Sequence, residues 1–148
     1  MSYLSVGGSS DFIEMAGRRV YLPNPNLKIL SARTWTANTY SSCTTDGVSN
    51  FYSVPTGKKF TMMGVQYLAT HPSSLSGVAL FSSTAGVING AAPAGISAGI
   101  LFALGFTINN FIPKEIALNI VFSAGQFITL HNSGYTFSAT CIGFEEDA

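Results

Sequence analysis

The side chains able to do chemistry are few and far apart. The chain has two histidines, His71 and His131, and two cysteines, Cys43 and Cys141. A Ser–His nucleophile pair needs one of those histidines and an orienting acid. Asp46 and Glu115 are the acids inside the expected folded body, and no serine sits in a nucleophile elbow. Zinc wants three or four His, Cys or carboxylate ligands at short spacing, and these four residues are widely separated. The closing acids Glu145-Glu146-Asp147 lack the alternating spacing of a calcium loop and read as a solvated terminus. Thr56-Gly57-Lys58-Lys59 lacks the phosphate-loop spacing and leads into a strand pattern, so it reads as a β-turn with lysines at a sheet edge. No catalytic residue, metal ligand or cofactor is therefore assigned, and the chain is not read as an enzyme. Trp35, between Thr34 and Thr36 and near Arg33, is the aromatic side chain singled out for ligand contact.

The elements that position these residues read as β throughout. Strand patterns cover Lys28–Asn38, Phe51–Val54, Lys58–Ala69, Gly77–Ser82, Ile100–Ile108, Ile116–Phe122, Gln126–His131 and Tyr135–Phe144. Both faces of Lys58–Ala69 are largely apolar, which predicts a strand covered on both sides. In the last strand Tyr135, Phe137, Ala139 and Cys141 share one face. Thr136, Ser138 and Thr140 share the other, until Ile142 and Phe144 make it apolar. Asn132-Ser133-Gly134 predicts a tight turn that joins the last two strands as a hairpin. Ala85 to Gly99 is rich in Gly and Ala and reads as a long loop. Gly99 and Gly105 argue against a helix over 96–108. About eight strands without an amphipathic helix predict an all-β, single-domain β-sandwich of jelly-roll type over residues 28–148.

Residues 1–27 differ in character. Ser and Gly dominate the start, and Pro23 and Pro25 exclude a helix interior. Phe12, Ile13, Met15, Val20, Tyr21 and Leu22 supply apolar anchors, so this stretch is read as an extended N-terminal arm. The start has no basic region followed by a continuous apolar run, which argues against a secretory signal. Cys43 and Cys141 are read as free buried thiols of a protein made in a reducing cytoplasm.

Composition points to association. Charged residues are 9% of the chain, against roughly 25% in ordinary domains. Between Phe60 and Phe144 the charged side chains are Lys114 and Glu115. A surface so poor in charge is expected to be covered by copies of the chain or by another protein. Seven basic and seven acidic residues give zero net charge, which argues against nucleic acid as a partner. The longest apolar stretch, Ala91 to Ile108, is interrupted by Pro93, Gly95, Gly99 and Gly105, which argues against a membrane-spanning helix. The early basic residues Arg18, Arg19, Lys28 and Arg33, with Tyr21 and Leu22, are the expected partner contacts of the arm.

Two segments carry a family resemblance. Val54-Pro55-Thr56-Gly57-Lys58-Lys59-Phe60 runs into a long apolar strand. Ala124-Gly125-Gln126-Phe127-Ile128-Thr129-Leu130 is followed by a turn and then by Gly143-Phe144-Glu145-Glu146. Both patterns resemble elements of small jelly-roll virion proteins of tailed bacteriophages, over residues 50–70 and 112–147. Such proteins are commonly trimers. Some decorate and cement capsids at capsomer junctions, while others sit in tails or bind receptors. The resemblance implies a structural virion protein on the capsid surface, assembled in the host cytoplasm. Its expected partners are two copies of itself and the major capsid protein or another virion protein. A receptor- or carbohydrate-binding jelly roll is the second reading, with contacts around Trp35, Thr70–Ser76 or Asn109–Asn110. A β-sandwich enzyme would require His71 or His131 to meet an acid in a pocket.

Overall fold

The computed structural model describes residues 3–5, 12–15, 17–21, 26–70, 76–97, 102–106, 114–133 and 136–148. Eleven strands occur among them: β1 (Tyr3–Ser5), β2 (Phe12–Met15), β3 (Arg18–Tyr21), β4 (Leu27–Thr34), β5 (Thr39–Ser42), β6 (Lys58–Thr70), β7 (Ser76–Ser83), β8 (Phe102–Phe106), β9 (Lys114–Ser123), β10 (Phe127–Asn132) and β11 (Thr136–Asp147). They form a three-stranded sheet in the order β1-β2-β3 and two four-stranded sheets, β5-β10-β7-β8 and β4-β11-β6-β9. Every pairing is antiparallel.

The two four-stranded sheets make a β-sandwich around one apolar core. From one sheet come Leu30, Phe60, Met62, Phe122, Phe137 and Cys141; from the other come Val78, Leu80, Ile128 and Leu130. Tyr52 and Val54, from the connection between β5 and β6, complete it. Phe60 lies at its centre, fully buried, with the Tyr52 ring 5.3 Å and the Phe122 ring 6.4 Å away between centroids. Alternation along each strand selects these residues: successive side chains point to opposite faces, so every second one enters the core.

Several expectations meet a different arrangement. Strand β6 changes sides partway. Phe60 and Met62 face the core, the register shifts between Met62 and Gly64, and Val65 and Tyr67 then face it. This bulge explains why both faces of the strand look apolar in the sequence. Beyond it the outward side chains, Gln66 and Leu68, are exposed. Strands β10 and β11 do not form a hairpin: β10 pairs with β5 and β7, β11 with β4 and β6. The two strands belong to different sheets, because the apolar faces of both are needed on opposite sides of one core. Residues 51–54 make isolated bridges, Thr44 with Phe51 and Ser53 with Phe127, while the strand beside β10 is β5.

The acids at the end of the chain are not a free tail. They finish β11, with Glu146 opposite Lys59 and Asp147 opposite Lys58. Lys58 Nζ lies 2.7 Å from Asp147 Oδ1, an ion pair that lowers the Asp147 pKa and raises that of Lys58. Glu145 accepts a 2.9 Å hydrogen bond from the buried Tyr52 hydroxyl and stands 3.8 Å from Lys28. Burial first, and the neighbouring carboxylate second, push the Tyr52 phenol far above its ordinary pKa.

The N-terminal stretch is folded back on itself and is not a single extended run. Residue 17 is a glycine at φ +78°, a conformation that β-carbon-bearing residues rarely adopt, and it permits the turn from β2 to β3. The first strand of the sandwich, β4, begins at Leu27.

Candidate functional site

The outer face of the β4-β11-β6-β9 sheet is divided in two by its sequence. At one end Leu27 and Ile142 pack against the buried Met63 and Phe144. Ile29, opposite Ile142 in the register, is 61% exposed, and Val121, opposite Thr61, is 56% exposed. These rows are apolar apart from the buried Thr61, and the row of Glu146, Lys59 and Ser123 closes this end of the face. At the other end two rows of side chains cross three strands in register. Arg33, Ser138 and Leu68 form one row; Ser31, Thr140 and Gln66 form the next. They floor an open groove of about 560 Å³. The division is already present along β11, whose outward side chains run Ser138, Thr140, Ile142, Phe144.

The walls of the groove are held by local hydrogen bonds. On one side the Asp46 carboxylate accepts from the backbone N–H groups of Val48, Ser49 and Asn50, at 2.9, 2.9 and 3.0 Å. These bonds lower the Asp46 pKa and present Val48 to solvent at the groove edge. Bridging between Ser31 and Thr44 holds the same loop beside β4.

Trp35 and Ile88 contribute elsewhere along the lining. Trp35 is 53% exposed although it is the sole tryptophan of the chain. Its backbone is fixed by Asn89, whose Oδ1 accepts from Trp35 N–H at 2.9 Å, from Thr36 N–H at 3.0 Å and from the Thr39 hydroxyl at 3.1 Å. Asn89 Nδ2 donates to Thr36 Oγ1 at 3.0 Å, and Asn89 N–H donates to Ser41 Oγ at 2.8 Å. Asn89 has φ +47°, and asparagine is among the few residues that accept this region.

The segment carrying Asn89 is itself anchored. Buried hydroxyls of Ser42 and Ser83 both bond to Thr129, at 2.7 and 2.8 Å. Val87 N–H donates to Ser42 Oγ, and Ser83 Oγ donates to the Ala85 carbonyl. Backbone bonds join Tyr40 to Gly90 and Ser42 to Val87. The long loop expected over 85–99 is free of helix and strand across 85–97, and it lines the β5 edge of the sandwich. Replacing Asn89 with Gly keeps the left-handed backbone and removes the acceptor shared by three donors. We expect a loss of about 1–2 kcal/mol in urea unfolding and faster acrylamide quenching of Trp35 fluorescence. Unchanged quenching would mean that Asn89 does not hold the indole.

The residues expected at a partner-binding arm are dispersed. Arg18, Arg19 and Tyr21 belong to β3, whereas Lys28 and Arg33 belong to β4 of the body. Lys28 is turned to Glu145, and Arg33 joins the groove beside Trp35. Leu22, His71 and residues 109–110 lie outside the described residues. His131 is half-buried with its ring 4.5 Å from that of Tyr40, and burial lowers its pKa. Cys43 and Cys141, distant in sequence, meet in the core with their sulfurs 3.6 Å apart, both as thiols. Cys43 donates to Cys141, and that bond and burial hold its pKa well above the ordinary thiol value. Among the described residues no three His, Cys, Asp or Glu side chains gather as metal ligands, and no helix is long and apolar enough to cross a membrane.

Sequence reasoning singled out Trp35 but missed the hydroxyl and amide floor, whose members are brought together by strand register alone. Comparisons of the chain with protein-family models, with curated proteins and with solved structures find no match in any of the three.

Proposed function

We propose that this protein is a structural virion protein of the capsid-decoration type: a jelly-roll subunit that self-associates, as a trimer, and stabilises a shell by binding its major capsid protein. The observation that carries the self-association is the apolar half of the outer sheet face, where Ile29 and Val121 stand in solvent with no charged side chain between them on that face. Exposed apolar groups in one patch are the mark of an interface, and each buried side chain would contribute about 1.5–3 kcal/mol. Strand order supports the jelly-roll reading. Each sheet alternates early and late strands, so that β4 lies beside β11 and β5 beside β10, as when one long hairpin is rolled into a sandwich. The neutral body and the resemblance of residues 50–70 and 112–147 to phage virion proteins support the shell as partner. Repetition of modest contacts over many copies would then stabilise the particle by mass action.

Light scattering after size exclusion tests the first step. The expected result is a species of about three times the 15.6 kDa chain. Ile29→Lys with Val121→Lys is expected to yield monomers whose chain stability changes by no more than about 0.5 kcal/mol per site. A wild-type monomer that also fails to co-sediment with capsid shells would overturn the reading.

A further inference from the structure

We propose that the polar half of the same sheet face is a saccharide site selective for sugars that carry a carboxylate. This site is distinct from the apolar half assigned to self-association. Three observations converge on it. First, the sole tryptophan is left half in water yet fixed by its backbone to Asn89. With the backbone fixed, only the two side-chain torsions of the indole are left to be ordered when it stacks against the C–H face of a pyranose ring. Second, the floor offers Ser31, Thr140 and Gln66 in one row and Ser138 in the next. Cross-strand neighbours are about 5 Å apart, comparable to the width of a sugar ring, and hydroxyl and amide groups can both donate to and accept from sugar hydroxyls. The groove volume of about 560 Å³ accommodates one or two rings.

Third, the one charged side chain of the lining is Arg33, which is exposed and has no ion pair among the described residues. A guanidinium presents a planar fork that matches a carboxylate. Among the described residues that line the groove none is acidic, and Glu115, opposite Gln66 in the register, belongs to β9, three strands across the sheet from Arg33 on β4. Charge complementarity therefore selects an acidic sugar over a neutral one. A single cation is too little for a nucleic-acid backbone, where several phosphates must be neutralised.

The test uses the full-length protein with 3′-sialyllactose as the acidic probe, lactose as its neutral counterpart and N-acetyl-triglycine as a carboxylate without a sugar. Because Trp35 is the sole tryptophan, tryptophan emission, excited selectively over the six tyrosines, reports this groove alone. Titration is expected to change that emission with sialyllactose, and saturation-transfer NMR to mark the ring protons. Lactose is expected to bind at least about tenfold more weakly, the difference made by one charge-assisted contact. Arg33→Gln should bring sialyllactose to the level of lactose, and Trp35→Ala should remove the saturation transfer, with thermal unfolding unchanged in both. No signal from either saccharide at millimolar concentration would overturn the site. Equal binding of the two, or indifference to Arg33→Gln, would overturn the selectivity for acid. Binding of N-acetyl-triglycine as tightly as sialyllactose would replace the saccharide by a peptide carboxylate.

Discussion

Replacement of Phe60 by Ala is expected to cost about 3–5 kcal/mol of folding stability, the range for emptying an aromatic site in a closed core. Phe60 is fully buried on β6 and touches residues that arrive from three separate parts of the chain. Tyr52 meets it edge-on, Phe122 lies beside it on β9, and the Gly143 backbone passes against its ring end. None of these can collapse into the space easily. Tyr52 is tied by its hydroxyl to Glu145, and Gly143 is locked in the β4-β11-β6 ladder. The cavity therefore persists, and a persistent cavity adds to the lost transfer energy. Equilibrium urea unfolding at one fixed protein concentration checks the value, since association would add its own contribution. A loss below 1 kcal/mol would show that the core relaxes, and that the aromatic cluster is not the part that sets stability.

Much of this arrangement is legible in the residues, and the exceptions have identifiable causes. The long strand Lys58–Thr70, the final strand and the change of its outer face from Ser138 and Thr140 to Ile142 and Phe144 follow directly from alternation. Strand β5, Thr39–Ser42, escapes that reading because its sequence is Thr-Tyr-Ser-Ser. Ser42 is buried only because Val87 and the loop that carries it cover it, a fact of tertiary structure. The expected hairpin of β10 and β11 fails for a related reason. A strand with one apolar face can pair with its neighbour or arch over to the opposite sheet, and alternation is the same in both cases. Trp35 could be singled out from its setting between two threonines. Sequence alone groups Arg33 with the arm, and Gln66, Ser138 and Thr140 carry no signal in it, since a binding floor made of ordinary sheet residues exists only once three strands are aligned.

Introducing a single methyl at Gly143 is expected to cost about 3 kcal/mol, at the upper end for overpacking a core, and the way this cost combines with that of Phe60→Ala is the sharper test. A β-carbon at residue 143 would collide with the Thr61 carbonyl oxygen and come within 2.6 Å of the Phe60 ring. The place is special because β6 gains its extra residue here: the register with β11 shifts between Ile142 and Gly143, and the bulge carries β6 backbone toward its partner. Two neighbours thus contribute to the collision, one a side chain and one backbone. In the Phe60→Ala background the ring is gone and only the carbonyl remains, so Gly143→Ala should cost less there, by about 1 kcal/mol or more. A complete rescue would assign the collision to the ring alone. Strict additivity of the two losses would show that the carbonyl of Thr61, and with it the bulge backbone, is what requires glycine at this position. Either result bears on the outer face as well, since the same bulge turns Gln66 and Leu68 outward to form the groove floor while Val65 and Tyr67 turn to the core.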